Sequence, residues 1–162
     1  MADDERSPAT IEAELADATG IRDPALLAQL RELGFSRQTV VLLFLTPLVQ
    51  VAWAEGAVTA REREALTARA ARGGVLPGTT AFGTLTLWLD VRPPEVFFSG
   101  CLEAIRAIAA RLPADEQETI VRDLLRSSRA VATASGGVLG IGAVSGEERA
   151  LLARIAAEIA AG

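Results

Sequence analysis

Histidine, lysine, tyrosine and asparagine are absent from this 162-residue chain, and cysteine and methionine occur once each. Each absence removes a chemistry. Without histidine there is no Ser-His or Cys-His dyad and no imidazole metal ligand. Without lysine there is no phosphate-loop lysine and no Schiff base. The lone Cys101 cannot form an internal disulfide or a zinc cluster, which fits a reducing compartment. It lies in the apolar stretch FFSGCLEAI, so a buried, inert thiol is expected there. Every positive charge is an arginine, and a net charge of −5 argues against nucleic acid, which needs a basic face.

What remains is dominated by Ala, Leu, Arg and Glu, all strong helix formers. Helix punctuation is clear. Ser7-Pro8 and Asp23-Pro24 each set a capping side chain before a proline at the first helical position. The second opens a short helix with Leu26, Leu27, Leu30 and Leu33 on one face, closed by Gly34. Ser36 is expected to cap a long apolar helix reaching Ala54, kinked or broken near Leu43 to Pro47. That segment falls short of the roughly 20 apolar residues a bilayer span needs. It therefore reads as a buried core helix with no transmembrane role.

Further helices are expected over about 60–72 and 80–89, and from Pro93-Pro94 through Arg111. The alternation in Thr84 to Leu89 would also suit a strand, but one strand would have no partner. In the helix after Pro93-Pro94 the apolar positions are Val96, Phe97, Leu102, Ile105 and Ile108. Beyond Pro113, the acidic run ADEQE sits where a helix N-terminus favours negative charge. That helix carries Ile120, Val121, Leu124, Leu125 and Val131, and a last helix spans 146–160. The expected fold is an all-α, single-domain helical bundle of about eight helices. Residues 1–35 form an acidic N-terminal segment with short helices, and 36–162 form the main domain. MADDERSP has no apolar signal region behind it, so a cytoplasmic location is expected.

Two stretches echo each other. VAWAEGAVTAREREAL (51–66) and VATASGGVLGIGAVSGEERALL (131–152) share Gly, then Val two residues on, then Thr or Ser, then Glu three later. The alignment treats 137–142 as an insertion. Thr59-x-x-Glu62 and Ser145-x-x-Glu148 are both capping-box patterns. Placing Gly56 at the sixth position of a calcium loop puts Glu62 at the twelfth. It also puts Val51 and Trp53 where oxygen ligands belong, so this is not an EF-hand. The run Arg61-Glu62-Arg63-Glu64 reads as a solvated helix face. Arg92 is placed to pair with Asp90 or Glu95 or to hold helix-end carbonyls, and Trp53 and Trp88 read as core residues, the indole N–H reaching a carbonyl. SGGVLGIGAVSG lacks the preceding strand of a nucleotide fingerprint. Its Val138, Leu139 and Ile141 are candidates for a protein partner or for self-association. No acid, base and nucleophile come together in the sequence, so a non-enzymatic role is expected.

Three segments together resemble the TerB-like, tellurite-resistance-associated helical domain: VQVAWAEGAVTAREREAL, WLDVRPPEVFF and VATASGGVLGIGAVSGEERALLARIA. The likeness spans about 36–160. It implies two pseudo-repeated helix-turn-helix hairpins with acidic residues gathered on one surface. It also implies roles in stress response and in membrane-associated complexes, so a peripheral membrane association is a further expectation. A divalent cation, calcium or magnesium, would then be held by Glu55, Glu62 and Glu148. The aspartate usual before the glycine is Glu55 in the first half and Ser135 in the second.

Overall fold

The computed structural model describes residues 6–134 and 146–160, with only the backbone of Glu148 and Ala160 in the second stretch. Among the described residues there are eight α-helices, one short 3-10 helix and no strand, so the protein is an all-α bundle. The helices are α1 (Pro8–Thr19), α2 (Pro24–Glu32), α3 (Thr46–Ala52), α4 (Ala60–Arg72), α5 (Thr80–Asp90), α6 (Glu95–Ala109), α7 (Ala114–Ala134) and α8 (Gly146–Ala160). The 3-10 helix, Val40–Leu45, leads directly into α3. No helix among the described residues is long and apolar enough to cross a membrane.

The helix starts follow from side chains that satisfy otherwise orphaned N–H groups. The Ser7 hydroxyl accepts from Thr10 N–H at 3.3 Å, and Thr79 accepts from Phe82 N–H at 3.2 Å. Asp23 Oδ1 accepts from the N–H groups of Ala25 (2.8 Å) and Leu26 (3.3 Å), and its other oxygen pairs with Arg111. The Leu26 and Ala25 N–H groups, with the Arg111 charge behind them, hold the Asp23 carboxyl below its ordinary value of 3.8. A carboxyl depressed on folding stabilises fully above its unfolded value, and that contribution is lost as the pH falls through the folded value. Asp23→Asn should therefore be less stable than the wild type at pH 7, with the gap closing below about pH 4. Urea midpoints measured across that range check it.

The expected long helix from Ser36 is shorter and divided. Ser36 does not cap it through its side chain. Its backbone N–H donates to Thr39 Oγ1 at 2.9 Å, and its carbonyl accepts from Thr39 and Val40 in a turn. Pro47 explains the break, because it has no N–H to donate to the Leu43 carbonyl. That carbonyl accepts instead from the Thr46 N–H and from Thr46 Oγ1 at 2.7 Å. The chain consequently tightens into 3-10 geometry before Pro47 and continues as α3 after it. All seven residues of α3 are buried, so this short helix is the central element of the bundle. It packs against α4, α6, α7 and α8.

One contiguous apolar core joins Leu15 and Leu30 of the N-terminal helices to Leu48, Leu66, Ile105, Val131 and Ile155. In α6 the buried stripe is Phe98, Cys101, Leu102, Ile105 and Ala109. Of the expected positions Leu102 and Ile105 are buried and Phe97 and Ile108 half-buried, but Val96 is 77% exposed while Phe98, not expected, is 1% exposed. The observed positions follow the i, i+3, i+4, i+7 spacing of one helical face, in which Val96 has no place. In α7, Leu124 and Val131 are buried as expected, whereas Ile120, Val121 and Leu125 are only half-buried.

Candidate functional site

The hairpin of α3 and α4 forms from local necessity. The turn after α3 needs Gly56 at φ +90°, a left-handed conformation that side-chain-bearing residues rarely adopt. Thr59 then starts α4 with a complete capping box. Its hydroxyl accepts from Glu62 N–H at 3.2 Å, while Glu62 Oε2 accepts from the Thr59 N–H at 2.7 Å and from its hydroxyl at 2.9 Å. Thr59→Ala should therefore cost about 1 kcal/mol in a urea melt. Glu55 is exposed, and Glu55→Gln should stay within about 0.5 kcal/mol of the wild type.

The charged run 61–64 is only in part the solvated face that was expected, with Arg61 and Glu64 exposed but not the two residues between them. Glu62 is 2% exposed, on the same side of α4 as the fully buried Leu66. Arg63 reaches across to α5, donating to the Leu89 carbonyl at 3.2 Å and pairing with Asp90 at 2.6 Å. From the other side of the turn, the Trp53 indole N–H donates to the Trp88 carbonyl at 2.8 Å. Arg92 pairs with Glu95 at 3.7 Å, Asp90 being engaged by Arg63. The stretch 51–66 thus closes the C-terminal end of α5 with two of its side chains.

Of the proposed cation ligands, Glu55 lies exposed on the turn and Glu62 has one oxygen committed to Thr59. The Glu148 side chain, Ser145, and the loop residues Val138, Leu139 and Ile141 lie outside the described residues. Among the described residues no three His, Cys, Asp or Glu side chains come together as a cation cage. Cys101 is fully buried, and burial pushes its thiol up to about 12, the neighbouring Thr46 hydroxyl opposing the shift only in part. It carries no thiolate at neutral pH.

The feature with the geometry of a binding site lies elsewhere. A trough runs between α4 and α7 and is closed at one end by the 3-10 helix. There a cavity of about 250 Å³ has walls of Val41, Phe44, Leu45, Leu48, Val75, Ile120 and Leu124, with Arg69, Asp123 and Ser127 among its polar lining. The 3-10 helix supplies the lip. With three residues per turn, Val41 and Phe44 stack on the outer row, while Leu42, Leu43 and Leu45 point inward. Val41 is accordingly 46% exposed and Phe44 36%.

Arg69 Nε donates to Ser127 Oγ at 3.3 Å across the trough. Beyond that bond a second hollow, of about 270 Å³, is formed by Ala65, Ala68, Ala130 and Val131 with Arg69, Arg72 and Arg126. Sequence reading missed this site. Its one signal was the uninterrupted apolar run VVLLFL before Pro47, which is too long to bury on a single helical stripe.

Fold and trough define the class: an all-α bundle with a partly open apolar groove on one face. No family model matches the chain, and neither a curated protein nor a solved structure is significantly similar to it. The likeness to TerB-like domains rests on the residues quoted above.

Proposed function

We propose that this chain is a non-enzymatic interaction module that captures a protein partner in the α4–α7 trough. This is the kind of role its TerB-like features would give it in a stress-associated assembly. One observation carries the reading: Val41 and Phe44 stand exposed at the lip of an apolar cavity. Apolar side chains at the edge of a concave surface gain from a partner that removes both from water, at about 25 cal/mol for each Å² covered. A short helix laid into a groove is the usual way such surfaces are filled. The chain's chemistry supports binding over catalysis, since its only thiol is buried and it has no imidazole or lysine amine.

The test is a panning experiment with displayed peptides of about 15 residues, long enough for four helical turns. Peptides selected on the full chain should bind Val41→Glu/Phe44→Glu at least about tenfold more weakly. Circular dichroism would show the variant still folded, as both positions face solvent. Peptides that bind the variant as well as the wild type would place recognition elsewhere and end this reading.

A further inference from the structure

We infer that the partner segment is an acidic amphipathic helix, its apolar side chains in the cavity beside Phe44 and its carboxylates against Arg69, Arg72 and Arg126. This rests on the trough being the binding surface. Two observations point to the chemistry of the occupant.

The first is charge. The chain carries a net charge of −5, yet the second hollow is lined by three arginines and no carboxylate. Arg69 is half-buried and has only the Ser127 hydroxyl as partner, and neither it nor Arg72 has a carboxylate within ion-pair distance among the described residues. Arg126 reaches Asp123 only at 3.9 Å. A half-buried guanidinium without a carboxylate is a site of unmet charge, and a partner's Asp or Glu would meet it with charge-assisted, bidentate bonds.

The second is shape. The two hollows share Arg69 and Ser127, so they adjoin. Along α7 they draw on Ile120, Asp123, Leu124, Ser127, Ala130 and Val131, one face at helical spacing with Arg126 at its edge. The trough's own carboxylate, Asp123, thus lies at the apolar end and the arginines at the other. From Ile120 to Val131, eleven steps of 1.5 Å make a trough of roughly 16 Å, about three helical turns. A small anion would occupy one end of that length. An amphipathic helix fits all of it, with apolar anchors at i, i+3 or i+4, and i+7 at one end and acidic residues at the other.

The experiment uses two synthetic helical peptides of about 15 residues, with identical Leu anchors and flanks of either Glu or Lys, titrated by fluorescence anisotropy into the full-length chain. The acidic peptide should bind about tenfold more tightly, and the preference should fade as salt rises from about 0.05 to 0.5 M. Arg69→Gln/Arg72→Gln/Arg126→Gln should abolish the preference while residual binding remains, and Phe44→Glu should abolish binding of both peptides. The salt titration needs no variant, so it stands even if the triple variant folds poorly.

Equal binding of the two peptides to the wild type would overturn the acidic partner and leave the trough as the site. Binding of neither would overturn both readings. Two further results would also overturn it: capture of phosphatidylserine vesicles in preference to the peptide, or a concentration-dependent dimer that the triple variant dissolves.

Discussion

Phe98→Ala should lower stability by about 3–5 kcal/mol, whereas Val96→Ala, two residues away on the same helix, should stay within about 0.5 kcal/mol of the wild type. Phe98 is enclosed in the core at 1% exposure, with its ring 5.8 Å from that of Phe97, so truncation removes a full aromatic payload and leaves a cavity. Phe97 in turn lies against Trp88 and Phe35, with ring centroids 5.2 and 6.1 Å away. A void at Phe98 would therefore loosen the aromatic cluster that joins α5 and α6 to the turn after α2. Domains of this size are stable by about 5–15 kcal/mol. A loss of this size lowers the thermal midpoint by on the order of 10 °C. Paired urea melts followed by circular dichroism decide it. If both variants behaved alike, the buried stripe of α6 would lie elsewhere on the helix.

That pair also marks the limit of what the sequence made legible. Helix starts were readable because caps and prolines act through the nearest backbone groups, as Asp23-Pro24 and Thr59-x-x-Glu62 do. The break at Pro47 was readable for the same reason. The inward face of α6 was less so. It has Val96, Phe97 and Phe98 in a row, and any of the three could begin an apolar stripe until neighbouring helices select one. The small residues Cys101, Ala104 and Ala109 settle the choice, because they allow α6 to pack closely against its neighbours, and composition alone gives them little weight.

The α4–α7 trough was harder still. Its walls come from residues 41–48, 65–75 and 120–131, brought together by tertiary packing alone. The hairpin at 51–66 drew attention for its likeness to a calcium loop and to a TerB-like turn. In the fold, its Glu62 caps α4 while Trp53 and Arg63 reach α5.

Trp53→Phe should cost about 1–3 kcal/mol, a figure set by an unpaired carbonyl more than by lost area. The last four carbonyls of a helix have no partner within it. In α5, which ends at Asp90, the Trp88 and Leu89 carbonyls belong to that group. The Trp53 indole fills the first at 2.8 Å and the Arg63 guanidinium the second at 3.2 Å, from opposite sides of one turn. Phenylalanine keeps most of the apolar body of Trp53 but has no donor, so the half-buried Trp88 carbonyl loses its partner. Arg63→Met likewise leaves the Leu89 carbonyl without its donor and should cost a similar amount, about 1–3 kcal/mol, its solvent-exposed, screened ion pair with Asp90 adding little. The two bonds close the same helix end, so their effects should not simply add in the double variant. Hydrogen exchange gives the local readout. The Val91 N–H, bonded to the Leu87 carbonyl at 2.8 Å, should exchange faster in either variant than in the wild type. A Trp53→Phe cost of only a few tenths of a kcal/mol would mean that water replaces the indole at this carbonyl. The tryptophan would then matter for its packing, and the end of α5 would hold without the hairpin.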